Sequence, residues 1–208
     1  MPTLFQFQDR SHETARQKGW WDEYLDGDKL HFPNVPYMVR EKVSLVHSEI
    51  SEALEDFRAG KMATTFLESG KPVGFPTELS DIVIRWMDLF GALGVLPSCG
   101  YKTIEEVSLE AYEERRRFEW FQRLDLSDAP RGDDGIVPQV LCRMHERAAE
   151  MVSPLGGWAP IGCNGRASLV LKDAIALAWH LNLDLGKEIE IKQSFNDKRP
   201  HRHGGKRV

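Results

Sequence analysis

Glu49 and Glu52 stand three residues apart, and so do Glu78 and Asp81. Within a helix, that spacing puts both carboxylates of a pair on one side. Asp56 and Asp88 extend the two stripes, each seven residues beyond Glu49 or Asp81. Four carboxylates converging beside a core repel one another and lose hydration, so such a cluster needs compensating positive charge. A divalent cation supplies it economically, and oxygen-only donors suit Mg²⁺ or Mn²⁺ rather than zinc. Magnesium keeps some waters and takes further oxygens from phosphates, so the pattern points to a phosphorylated substrate. One acidic pair alone is ordinary decoration of a solvated helix face; here there are two.

Apolar periodicity supplies the helices that must carry these acids. From Tyr37 to Ala59, the residues Val43, Val46, Ile50, Ala53, Leu54 and Phe57 recur at helical spacing, and Gly60 is a natural stop. After the loop GKPVGFP, Thr77 offers an N-cap to a second helix whose Leu79, Ile82, Trp86, Leu89 and Leu93 share a face. In both helices the acidic stripe borders the apolar one, so pairing the apolar faces brings the carboxylates together. An earlier helix over Arg10 to Tyr24 ends before Pro33, and Thr103 with Glu106 has capping-box spacing for another helix reaching about Leu124. Leu126 to Gly135 and Ser153 to Gly165 read as loops, and Ala167 to Leu183 and Asp184 to Asn196 as the last helices. No stretch shows strand alternation, so the expected fold class is all-α.

Composition narrows the setting. At 208 residues the chain can bury a substantial core, and no apolar run is long enough to span a bilayer. Cys99, Cys142 and Cys163 are odd in number and lack CxxC spacing, which indicates neither a disulfide framework nor a zinc knuckle. With an N-terminal segment unlike a secretory signal, they make a cytoplasmic location the expectation. The net charge of −5 argues against dedicated nucleic-acid binding, while the tail KRPHRHGGKR is basic and reads as a separate functional piece.

The segments LVHSEISEALEDF and ELSDIVIRWMDL resemble the E-x-x-E and E-x-x-D helices of the MazG-like all-α nucleoside triphosphate pyrophosphatases. The ending KQSFNDKRPHRHGGKR is similar to that family's close, where a lysine and an asparagine four residues later precede an arginine and an HGGK-like tail. The resemblance implies a Mg²⁺-dependent pyrophosphohydrolase that cleaves a (d)NTP to (d)NMP and pyrophosphate. It also implies that Glu49, Glu52, Glu78 and Asp81 hold magnesium, one glutamate serving the attacking water as well; which one is left open. Lys192 and Asn196 then approach the phosphates or their metal shell, with Arg199 and Lys206 as further phosphate partners. HETARQKGWWDE is similar to the family's lead-in helix and nominates His12, Trp20 and Trp21 for the nucleobase pocket. The resemblance further implies a homo-oligomer, dimer or tetramer. A dUTP- or dCTP-selective hydrolase, phosphoribosyl-ATP pyrophosphohydrolase and a non-catalytic helical interaction module are the alternatives.

The resemblance covers about residues 8 to 94 and 184 to 208, which leaves a helical insertion at about 97–183 within a single domain spanning 1–208. Inside it, LCRMHERAAEM echoes LVHSEISEALE and LVLKDAIALAWHL echoes ELSDIVIRWMDLF, as in a degenerate internal repeat. Asp173 takes the place of Asp81, but Val170 stands where Glu78 stands, so this copy is expected to hold no catalytic magnesium.

Overall fold

The computed structural model describes residues 2–26, 29–30, 35–95, 100–115, 132–152 and 160–205. Helix α1 spans Leu4–Gln17 and opens with a capping box: the Thr3 hydroxyl accepts from the Gln6 N–H, and the Gln6 side chain accepts from the Thr3 N–H. It therefore starts earlier and ends sooner than the composition of Arg10 to Tyr24 suggests. Two short strands, β1 (Leu25–Asp26) and β2 (Lys29–Leu30), pair antiparallel before α2 (Val35–Arg58). A second hairpin, β3 (Thr65–Phe66) with β4 (Pro72–Val73), stands in the expected loop and leads into α3 (Phe75–Ala92). These two-residue strands are too short to show alternation in sequence.

Thr77 is not the N-cap of α3. Gly74 holds that position at φ 124°, and Thr77, one turn in, donates its hydroxyl to the Gly74 carbonyl at 2.8 Å. Gly74 is required twice over: its backbone angle suits glycine, and a Cβ there would lie 2.5 Å from the Ala63 carbonyl oxygen. The first turn of α3 is thereby buried with Glu78 in it, at the positive end of the helix dipole.

Helix α4 (Ile104–Arg115) has the expected capping box, with the Thr103 N–H donating to Glu106 at 2.7 Å. Beyond it come α5 (Val137–Glu150), α6 (Pro160–His180) and α7 (Leu185–Asp197), with a final turn at Arg202–Gly205. Helix α6 begins inside the segment that its glycines mark as a loop. The expected continuation of α4 to Leu124 falls largely outside the described residues, as does Lys206.

The centre of the fold is four helices. α2 packs on α3, α5 on α6, α2 on α5 and α3 on α6, while α1 and α7 lie against α3 and α4 lies against α6. Val43, Val46 and Ile50 of α2 meet Leu79, Ile82 and Trp86 of α3 in one continuous core that also contains Val140, Met144, Leu171 and Ile175. The insertion thus supplies half of this central bundle. No helix among the described residues is long and apolar enough to cross a membrane.

Candidate metal centre and adjoining pocket

Pairing of the apolar stripes of α2 and α3 brings Glu49, Glu52 and Glu78 together, with one oxygen from each lying within 4.8 Å of the others. Glu49 and Glu78 are buried and Glu52 is exposed, so the group opens to solvent on one side. Asp81 stands beside it on α3, its Oδ2 2.7 Å from the buried Lys192 ammonium of α7. Glu49 is paired with Arg85 at 2.9 Å. The four expected acids therefore gather, but two of them are answered by cations of this chain.

That compensation is incomplete. Burial and then the Asp81 charge push the Glu78 carboxyl up to about 7, against the pull of Lys192. Glu49 is raised by the same two causes, burial first, despite Arg85. Lys192 is held above the ordinary lysine value: burial opposes its charge, but Asp81 and the two glutamates outweigh it. The centre is an electrostatic sink for one more cation. Oxygen donors from three side chains, with an open side for water or substrate oxygen, fit a hard divalent ion.

A cavity of about 90 Å³ adjoins the acids and is bounded by Trp20, Lys42, Asp88, Asn196 and Arg199. Trp20, Asp81, Arg85, Arg199 and His203 line both compartments, so the two are continuous. Trp20 is half-buried and carries the His203 ring edge-on, with centroids 5.0 Å apart. Trp21 is fully buried, and its face lies under the Lys42 ammonium, 4.7 Å away. Its indole N–H donates to Asp88 Oδ1 at 2.8 Å, the oxygen that His12 Nδ1 also approaches at 2.9 Å. His12 reaches this point because Gly91 lets α1 and α3 close together; a Cβ at Gly91 would lie 2.6 Å from that of His12. The Asn196 Oδ1 is buried with no hydrogen-bond partner among the described residues. The last turn is tied down by Arg202, whose N–H donates to the Lys18 carbonyl at 2.8 Å and whose guanidinium meets Glu23 at 2.7 Å.

The second helix pair has no comparable sink. Asp173 is fully buried on α6, and Arg143 of α5 grips it through two hydrogen bonds of 2.8 and 3.2 Å. Arg147 pairs with it too. Arg143 and Arg147 thus answer this carboxylate from the facing helix, where α2 presents Glu49 and Glu52 to α3. The insertion's helix pair carries its own cations.

Spacing pointed to the acids, Asp88 among them as an extension of the α3 stripe, but passed over Arg85 and Lys42. A signal existed for each: Arg85 is four residues after Asp81, and Lys42 is seven before Glu49, so both fall on the acidic stripes. Asp56, by contrast, leaves the cluster and pairs with Lys61 at 2.8 Å. No family model, curated protein or solved structure matches this chain.

Proposed function

We propose that this chain is a magnesium-dependent nucleoside triphosphate pyrophosphohydrolase of the MazG-like kind. One observation carries the reading: Glu49, Glu52 and Glu78 converge within 4.8 Å at the wall of a cavity bordered by cations. Glu49, Glu52, Glu78 and Asp81 would hold Mg²⁺, or Mn²⁺ in its place. When bound, the ion neutralises charge on the phosphates and favours ionised water. The chain's own residues do the remainder. A carboxylate of the cluster accepts the proton of the attacking water, oxygen bonds to the α-phosphorus, and the bond to the α–β bridging oxygen breaks. Arg85, Arg199 and Lys71 border the space for the triphosphate and the departing pyrophosphate. Lys192 keeps Asp81 aimed at the cluster until substrate and metal arrive. Assembly as a dimer or tetramer belongs to the same proposal and is read by sedimentation.

The test is hydrolysis of a panel of NTPs and dNTPs with Mg²⁺, with products identified as nucleoside monophosphate and pyrophosphate. Glu49→Gln and Asp81→Asn are expected to lower kcat by at least about 100-fold, with the helical circular dichroism retained. Full turnover in either variant, or release of orthophosphate alone from the wild type, would overturn the assignment.

A further inference from the structure

Helix α2 carries a second kind of donor on its other side. His47 lies two residues before Glu49, and positions two apart on a helix point in nearly opposite directions. The carboxylate therefore turns to α3, while the imidazole turns to α5 and meets His145 there. The pyrophosphohydrolase reaction makes no use of this pair.

The two Nδ1 atoms are 2.7 Å apart, the ring planes lie within 5° of each other, and the ring centres are 5.0 Å apart. An imidazole nitrogen stands about 1.2 Å from its ring centre, so these spacings put both Nδ1 atoms near the line joining the rings, each aimed at the other. Both rings are half-buried, so the seam between the helices holds them without closing them off from solvent. Two neutral imidazoles meeting in this way share one proton between two in-plane lone pairs. Imidazole nitrogen suits zinc, copper and nickel, as carboxylate oxygen suits magnesium. Helix α2 thus presents hard donors to one neighbour and borderline donors to another.

We propose that His47 and His145 form a two-imidazole site for a borderline divalent transition ion, Zn²⁺ or in its place Cu²⁺ or Ni²⁺, which ties the insertion's α5 to α2. Zinc bonded to two nitrogens at about 2.0–2.1 Å in tetrahedral geometry holds them about 3.3 Å apart. That is roughly 0.6 Å wider than the hydrogen bond and is reached by a small rotation of either ring. The hydrogen bond needs one ring to carry its proton on Nδ1; with an ion between the nitrogens both rings carry it on Nε2, so no net proton is released. Among the described residues no third histidine, cysteine, aspartate or glutamate donor atom lies within 4.8 Å of the pair, so water completes the shell. The two ligands are 98 positions apart in sequence. Only the folded chain brings them together, so the ion stabilises the contact between the two helix pairs of the bundle.

The experiment adds Zn²⁺ to the full, untagged chain in saturating Mg²⁺, which leaves the carboxylate centre to the harder ion, and reads calorimetric titration and thermal melts. Free zinc at about 100 times its dissociation constant should raise the ratio of folded to unfolded chain about 100-fold, which is roughly 5–10 °C in Tm. Cu²⁺ in place of Zn²⁺ should give an electron paramagnetic resonance spectrum with coupling to two nitrogens. His145→Gln keeps a hydrogen-bonding side chain against His47 but has no imidazole lone pair; it should lose at least about 10-fold in zinc affinity and most of the Tm shift. His47→Gln should do the same and carries the test if His145→Gln does not fold; the copper spectrum of the wild type decides if neither does. No zinc binding by the wild type, unchanged affinity in both histidine variants, or copper bound by oxygen alone overturns the site. So does binding lost in Glu52→Gln, which places the ion among the carboxylates, or in Cys142→Ser, which places it on the exposed thiol one turn before His145. None of these readings uses a nucleotide, so the result is independent of the hydrolysis test.

Discussion

Replacing Glu78 with glutamine should stabilise the protein in the absence of metal, and should do so only at neutral and alkaline pH. Glu78 is buried in the first turn of α3, and burial with the Asp81 charge raises its pKa from 4.5 to about 7. In the unfolded chain the group ionises near its ordinary value. Between those two pH values the folded protein binds more protons than the unfolded one, so this group's contribution to stability falls as pH rises. Its favourable contribution is complete below about 4.5 and gone above about 7. At about 1.4 kcal/mol per pH unit the displacement amounts to roughly 3 kcal/mol, and solvent at the open side of the cluster reduces this to about 2 kcal/mol. For a chain of this size, that corresponds to roughly 4–8 °C in Tm. Thermal melts of wild type and Glu78→Gln in EDTA, at pH 4.5 and pH 8, read the difference directly. The variant should gain nothing at the lower pH and the full amount at the higher. Adding Mg²⁺ at pH 8 should then raise the wild-type Tm and move the variant much less, because a ligand stabilises only the state that binds it. A difference that does not change with pH, or a variant less stable at pH 8, would refute the view that Glu78 is a carboxylate awaiting a cation.

Two further outcomes follow from the insertion. Asp173→Asn should destabilise the fold by about 3–5 kcal/mol by leaving Arg143 and Arg147 buried against a neutral partner; at low temperature, kcat of the folded fraction should stay within about two-fold of the wild type, and a larger loss of kcat would place Asp173 in the reaction. His47 and His145 join α2 to α5 through Nδ1 atoms 2.7 Å apart and stacked rings, a contact that one donor and one acceptor can make but two imidazoliums cannot. Burial lowers the pKa of both, so the unfolded chain takes up protons first and stability falls as pH drops through about 6.5. His145→Gln should flatten the stability change between pH 7 and pH 5 in chemical denaturation, and an unaltered slope would show that the pair does not sense pH.

How far the sequence reached is best judged at the two helix pairs. The spacing of Glu49 with Glu52 and of Glu78 with Asp81, each beside an apolar stripe, was enough to foresee that pairing α2 with α3 would gather acids, because helical periodicity fixes which side chains share a face. It was not enough to foresee which acids would already be answered. Lys192 reaches Asp81 from α7, more than a hundred residues away, and no local pattern records such an approach. Trp21 shows the same limit: two adjacent tryptophans look alike in sequence, yet one is buried with its N–H on Asp88 and the other lines the cavity. The insertion makes the point from the other side. Val170 in place of Glu78 was a readable loss, but the decisive feature lies on the facing helix, where Arg143 and Arg147 both pair with Asp173. A valine offers no oxygen donor, and the two arginines supply the positive charge that Asp173 needs. The same packing of two amphipathic helices therefore leaves the acids only partly answered in one pair and yields a closed ion network in the other, and the cations that the facing helix carries decide between them.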